Sequence, residues 1–193
     1  MNYLAHLLLS GNDEEMLLGN FIADHIRGKQ ILELSPQVQR GVLLHRNIDD
    51  FTDHHAVTDV GKARLRPYVG KYAPVALDII YDHYLARGWN DYHELPLKEF
   101  LKRTYSFLDN RLSEMPQRLQ YMYHYMRRDD WLGNYQYPEG IQRTLNGLSR
   151  RTSFPSHLEK AFDAMMEHYK LFEKEFAAFF PELQKHSASV AAK

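Results

Sequence analysis

The sequence predicts an all-α, single-domain helical bundle. Three observations carry that prediction. Prolines and glycines fall where helices begin and end. The final apolar stretch recurs in steps of three and four, and no segment alternates apolar and polar residues over a strand's length.

Taken in order, helices are expected near residues 2–9 and 13–27. Ser35-Pro36 reads as an N-cap followed by proline at the first helical position, opening a helix to about Asp50. Pro74 opens "PVALDIIYDHYLAR", which Gly88 ends. Pro96 precedes "LKEFLKRTYSFLDNRL". Pro155 is expected to open a long last helix, with Leu158, Phe162, Met165, Tyr169, Phe172, Phe176 and Phe179 forming one apolar stripe. Past Pro181, "ELQKHSASVAAK" lacks periodic apolar residues. The expected division is therefore a domain over 1–181 and a frayed tail over 182–193.

At 193 residues the chain suits one domain with a sizeable core. The formal net charge is only −1, so there is no global basic field of the kind nucleic-acid binders carry. No basic stripe with interleaved aromatics is present either. Cysteine is absent, so any metal must sit on His, Asp or Glu. The N-terminus has no basic segment leading into a long apolar one, and nothing approaches a membrane span. A cytoplasmic protein without a membrane partner is expected; the oligomeric state is left open.

The stretch "VLLHRNIDDFTDHH", residues 42–55, crowds imidazoles and carboxylates onto what reads as the end of a helix. Residues four apart share a helix face. Four polar pairs have that spacing, each among apolar neighbours: Asn2 with His6, Asn20 with Asp24, His45 with Asp49, and Asp78 with Asp82. Carboxylates taken out of water are costly unless paired, hydrogen-bonded or metal-bound. Taken singly, each residue could be a core histidine, a cap or an ion-pair partner. Four pairs on separate helices favour a bundle metal site built from inward-facing His and carboxylates. Imidazole with carboxylate and no sulfur suits Mn²⁺, Mg²⁺, Fe²⁺ or Zn²⁺.

At these residues the chain resembles the acyl carrier protein phosphodiesterase family. The matching motifs are "NYLAHL" at 2–7, "GNFIAD" at 19–24, "HRNID" at 45–49 with "TD" at 52–53, and "LDIIYDHYL" at 77–85. "DDWLGNY" at 129–135 and "LNGLSRR" at 145–151 follow in the same order. That family is similar to the HD-type metal-dependent phosphohydrolases, so the resemblance implies an HD-phosphohydrolase-like bundle. It also implies hydrolysis of the phosphodiester joining 4′-phosphopantetheine to the serine of holo-acyl carrier protein, with a divalent metal, Mn²⁺ first. One departure stands out: the chain contains Asp-His dipeptides but no adjacent His-Asp pair, and His45-x-x-x-Asp49 takes its place.

The residues carried over by these motifs are Asn2, His6, Asn20, Asp24, His45, Arg46, Asp49, Asp53, Asp78, Asp82 and His83. Asp24, His45, Asp49 and Asp82 are expected as metal ligands, with His6 as a fifth ligand or a supporting partner. Asp78 and His83 would orient ligands or move a proton, and Asn2, Asn20 and Asp53 would support them. Arg46 would bind a phosphate oxygen or else form a surface ion pair. An acidic carrier would meet Arg27, Lys29, Arg64, Arg66, Arg150 and Arg151, although such runs are also common on solvated helix faces. The rival readings are a phosphohydrolase of a nucleotide or other small phosphoester, a non-catalytic carrier-binding module, and a bare structural bundle.

Overall fold

The computed structural model describes residues 1–192, and among them there is no strand. The helices are α1 (Tyr3–Leu9), α2 (Glu14–Ile22), α3 (Pro36–His54), α4 (Ala56–Val69), α5 (Ala73–Arg87) and α6 (Leu97–Asp109). They continue with α7 (Gln117–Arg128), α8 (Trp131–Asn134), α9 (Pro138–Ser149), α10 (Ala161–Glu167) and α11 (Tyr169–Ala191). Ser35 caps α3 by accepting from Val38 N–H, with Pro36 at the first turn. Gly88 ends α5 by donating to the Tyr84 carbonyl.

Three boundaries differ from expectation. The second helix stops at Ile22 and tightens into a 3₁₀ turn at Ala23–His25, so it does not reach residue 27. Pro155 lies in a loop, where His157 adopts a left-handed backbone, and the long last helix is two helices broken at His168. The residues past Pro181 do not fray. Helix α11 continues through Pro181 to Ala191 because it packs on α3: Leu183 and Ser187 are buried, His186 stacks on Phe51, and Arg40 donates to the Ala191 carbonyl at 2.6 Å.

Helix α5 is the axis of the core. Ala76, Leu77, Ile79, Ile80, Tyr81, Tyr84 and Leu85 are buried around its circumference, against α1, α4, α9 and α11. A helix apolar on all sides belongs in the interior. Two further features position the site. Gly19 of α2 and Gly41 of α3 meet backbone to backbone. A Cβ on Gly19 would lie 2.0 Å from the Val38 carbonyl oxygen, and one on Gly41 would lie 2.2 Å from that of Met16. Only glycine permits this approach. The second feature is Asp82, fully buried on α5, whose oxygens accept the N–H groups of Leu4 (2.8 Å) and Ala5 (3.3 Å). It caps α1 from another helix and fixes where "NYLAHL" sits.

Candidate metal centre

The close crossing of α2 and α3 puts Asn20 between two imidazoles. Its side-chain amide nitrogen donates to the His6 carbonyl (2.9 Å) and to Ser10 Oγ (3.0 Å). Those acceptors fix which end of the amide is which. Asn20 Oδ1 therefore faces His6 Nδ1 at 2.8 Å and His45 Nδ1 at 3.1 Å, while the Asn20 carbonyl faces His45 Nδ1 at 2.9 Å. With both Nδ1 atoms facing oxygen, both Nε2 atoms turn the other way. The rings stack, 3.9 Å between centroids and 17° between planes.

Both Nε2 atoms point at carboxylates. His6 Nε2 lies 3.1 Å from Asp49 Oδ1; His45 Nε2 lies 3.1 Å from Asp49 Oδ2 and 3.2 Å from Asp24 Oδ1. His6, His45 and Asp49 can each offer one ligand atom, all within 4.8 Å of one another. Burial opposes charge on His45, but hydrogen bonds to Asp24 and Asp49 outweigh it and lift this imidazole to about 9. Burial, aided by the charge on His45, pushes His6 down to about 4. The hydrogen bond from His45 holds Asp24 below its ordinary value; at Asp49 the bonds from both imidazoles overcome burial and hold it far below.

A neutral His6 has one ring proton and oxygens on both sides. Nδ1 faces Asn20 Oδ1, and Nε2 faces Asp49 Oδ1 and the Met1 carbonyl, the latter at 3.1 Å. Whichever tautomer forms, one lone pair is directed at an oxygen lone pair. A cation bound at Nε2 and Asp49 removes that conflict. The donor set of two imidazoles and a carboxylate, with Asp24 at the open edge, thus fits a divalent metal, and Asn20 orients both rings as the outer partners of metal-ligating histidines do.

The other expected site residues separate into groups. Asp78 and Asn2 line the same cleft as Asp24 and Asp49, a space of about 350 Å³. Asp78 lies 3.1 Å from the Met1 amine, and burial lifts it to about 6. Asn2 donates to Tyr135 Oη at 3.0 Å and does not touch the imidazoles. Asp82 has both oxygens taken by the α1 backbone and serves as a cap. His83 is buried elsewhere, between the Tyr135 carbonyl (2.7 Å) and Tyr169 Oη (2.5 Å), and holds α5 to α11. Asp53 and Arg46 are exposed, and neither lines the cleft. Arg64 is bound to Glu175 at 2.7 Å and lies over Phe172, so it is a packing residue. Arg27, Lys29, Arg66 and Arg150 are exposed.

Arg151 has a different place. It lines the same cleft as Asp24, Asp49 and Asp78 and supplies the only lysine or arginine there among the described residues. Tyr3 feels both charges: besides burial, Asp24 raises its hydroxyl and Arg151 lowers it. The apolar wall of the cleft, Ile79, Met122, Trp131 and Leu148, was not anticipated from spacing. The motifs "DDWLGNY" and "LNGLSRR" were the available signal, because they carry Trp131 and Leu148.

Residues 1–183 match the family described as "Acyl carrier protein phosphodiesterase". The chain is similar to the acyl carrier protein phosphodiesterase of Enterobacter sp. (strain 638), 33% identical over 184 residues and 95% of each chain. It is similar to that of Klebsiella pneumoniae (strain 342), 32% identical over 96% of each chain. To that of Salmonella dublin it is 31% identical, over 99% of this chain and 100% of that one. No solved structure matches it. The chain belongs to the acyl carrier protein phosphodiesterase family, a family of phosphodiester hydrolases.

Proposed function

We propose that the chain hydrolyses the phosphodiester linking 4′-phosphopantetheine to the serine of holo-acyl carrier protein, and that the reaction depends on a divalent metal held by His6, His45 and Asp49, with Asp24 beside them. One observation carries the metal dependence: two Nε2 atoms, set by one asparagine, converge on a shared carboxylate. A bound divalent cation supplies Lewis acidity toward the phosphate and lowers the pKa of a coordinated water. Mn²⁺ is the first choice, and Mg²⁺, Fe²⁺ and Zn²⁺ suit the same donors.

The chain's own residues do the rest. Arg151, which lines the same cleft as the aspartates, binds a non-bridging phosphate oxygen through its planar fork. Water adds to phosphorus and releases a proton to solvent, the bond from phosphorus to the serine oxygen breaks, and that oxygen takes a proton from a cleft acid that solvent then reprotonates. Asp78 is the proton donor: it lies in the cleft, and burial keeps a fraction of it protonated near neutral pH. The products are the free carrier serine and 4′-phosphopantetheine. Arg27, Lys29, Arg66 and Arg150 remain exposed and available to steer an acidic carrier.

The test is the intact mass of holo-carrier after incubation with the chain, with Mn²⁺ and after chelation. Loss of the arm only with metal supports the proposal. An intact carrier, from protein that is folded and Mn²⁺-loaded, would move the assignment to a small phosphodiester.

A further inference from the structure

A second hollow adjoins the cleft at Arg151. Trp131, Thr144 and Arg151 also line this hollow of about 270 Å³ beside α8 and α9, which Asn134, Arg143 and Gly147 help to complete. The backbone leading into it is unusual. Asp130, the residue before Trp131, has φ 43° and ψ 55°, a left-handed conformation uncommon outside glycine. Its carbonyl is held by Asn134 N (3.0 Å) and Asn134 Nδ2 (2.8 Å), and its carboxylate lies over Gly133, where a Cβ would come within 2.3 Å of it. Such locally held strain is found at ligand clamps. Here it sets the indole of Trp131 at the junction of the two hollows.

The second hollow differs in chemistry from the first. Arg143 donates only to Asn134 Oδ1 (3.2 Å), and Arg151 Nε donates to the Gly147 carbonyl (3.1 Å). Neither forms an ion pair among the described residues, so both keep N–H donors for a ligand's carbonyl oxygens. The one carboxylate at the rim, Asp129, is already taken by Arg128 at 2.7 and 2.8 Å. The space therefore combines an aromatic ring, over which the Arg151 guanidinium lies at 5.7 Å from the centroid, with free N–H donors, and it shares Trp131, Thr144 and Arg151 with the acidic cleft.

We propose that this hollow holds the pantetheine arm. The proposal rests on the carrier reading above, and it assigns the ends: phosphate between the metal centre and Arg151, the arm's methyl and methylene groups on Trp131, and its amide carbonyls on Arg143. A slender amide chain fits such a space, whereas a folded carrier surface does not enter it.

Gly147→Leu tests this directly. Gly147 is helical, and an added Cβ there meets only Arg151 Nη2, at 3.9 Å, so leucine fills the hollow without displacing backbone. Arg143→Ala is the second variant, on an exposed side chain. Binding of 4′-phosphopantetheine and of inorganic phosphate to the Mn²⁺-loaded chain is measured by calorimetry. The expected result is about tenfold weaker 4′-phosphopantetheine binding in Gly147→Leu and about fivefold weaker in Arg143→Ala, with phosphate affinity unchanged in Arg143→Ala, which lies away from Arg151's own contacts. If both variants bind 4′-phosphopantetheine as wild type does, the assignment is wrong. If only the KM for holo-carrier rises, the hollow meets the carrier's own surface, and the assignment is again wrong. A wild-type chain that leaves holo-carrier intact removes the carrier reading itself, a separate result read in the mass assay.

Discussion

At the scale of single residues, the centre depends on one side chain that is itself no ligand. Asn20 is fully buried and orients both imidazoles through Nδ1. Asn20→Ala should weaken Mn²⁺ binding by roughly 10–100-fold while all three proposed ligands remain, as loss of an outer partner does at other metal sites; a Mn²⁺ titration checks it. Arg151→Ala should lower kcat by about 100-fold, with Lys restoring part of the loss as a point charge. Steady-state kinetics on holo-carrier separate that effect from one confined to KM. Of the residues expected as ligands, only His45 and Asp49 share a helix face by i and i+4 spacing; tertiary packing brings His6 and Asp24 beside them. Spacing misplaced Asp82 and His83, because a polar residue on an apolar helix has the same pattern whether it binds a metal, caps a helix or bridges two of them. Arg46 adjoins His45 in sequence, but neighbouring helical residues point about 100° apart, and it is exposed outside the cleft.

At the scale of elements, the centre exists because α2 and α3 touch through glycine and because α5 caps α1. Gly41→Ala should cost about 1–3 kcal/mol through overpacking. It should also weaken Mn²⁺ binding, since the Cβ would strike the Met16 carbonyl 2.2 Å away and move Asn20 from His45. Denaturant unfolding and metal titration of one sample test both. Asp82→Ala should leave two buried N–H groups without acceptors, at about 1–3 kcal/mol each. Burial outweighs the two backbone bonds and lifts Asp82 from 3.8 to about 7. Its folded-state pKa is raised, so its contribution is full below 3.8 and is lost as pH rises to about 7. Asp82→Asn should therefore gain on wild type across that window and show a flatter pH profile of unfolding free energy. Helix starts were readable from Pro36, Pro74 and Pro96, where the local chemistry is sufficient. The break at His168 and the helical continuation to Ala191 were not readable, because packing against α3 decides the latter.

At the scale of the whole molecule, three aspartates and one arginine, Arg151, line a single cleft of a bundle whose net charge is only −1. The fold class was legible from helix-boundary residues and periodicity, and the family from its motifs. The cleft was not, because its wall comes from α5, α7, α8 and α9, which only tertiary packing brings together. Charge reversal at Arg27 and Lys29 should raise the KM for holo-carrier several-fold and flatten its salt dependence; unchanged values would place docking elsewhere. The central claim is that a divalent metal sits on His6, His45 and Asp49. Mn²⁺ binding measured by electron paramagnetic resonance, on wild type and on His45→Ala, Asp49→Asn and Asp82→Asn, tests it most directly. The account predicts about one bound ion in wild type and Asp82→Asn, and loss of binding in the other two. Retention of Mn²⁺ by His45→Ala, or its loss from Asp82→Asn alone, would contradict it.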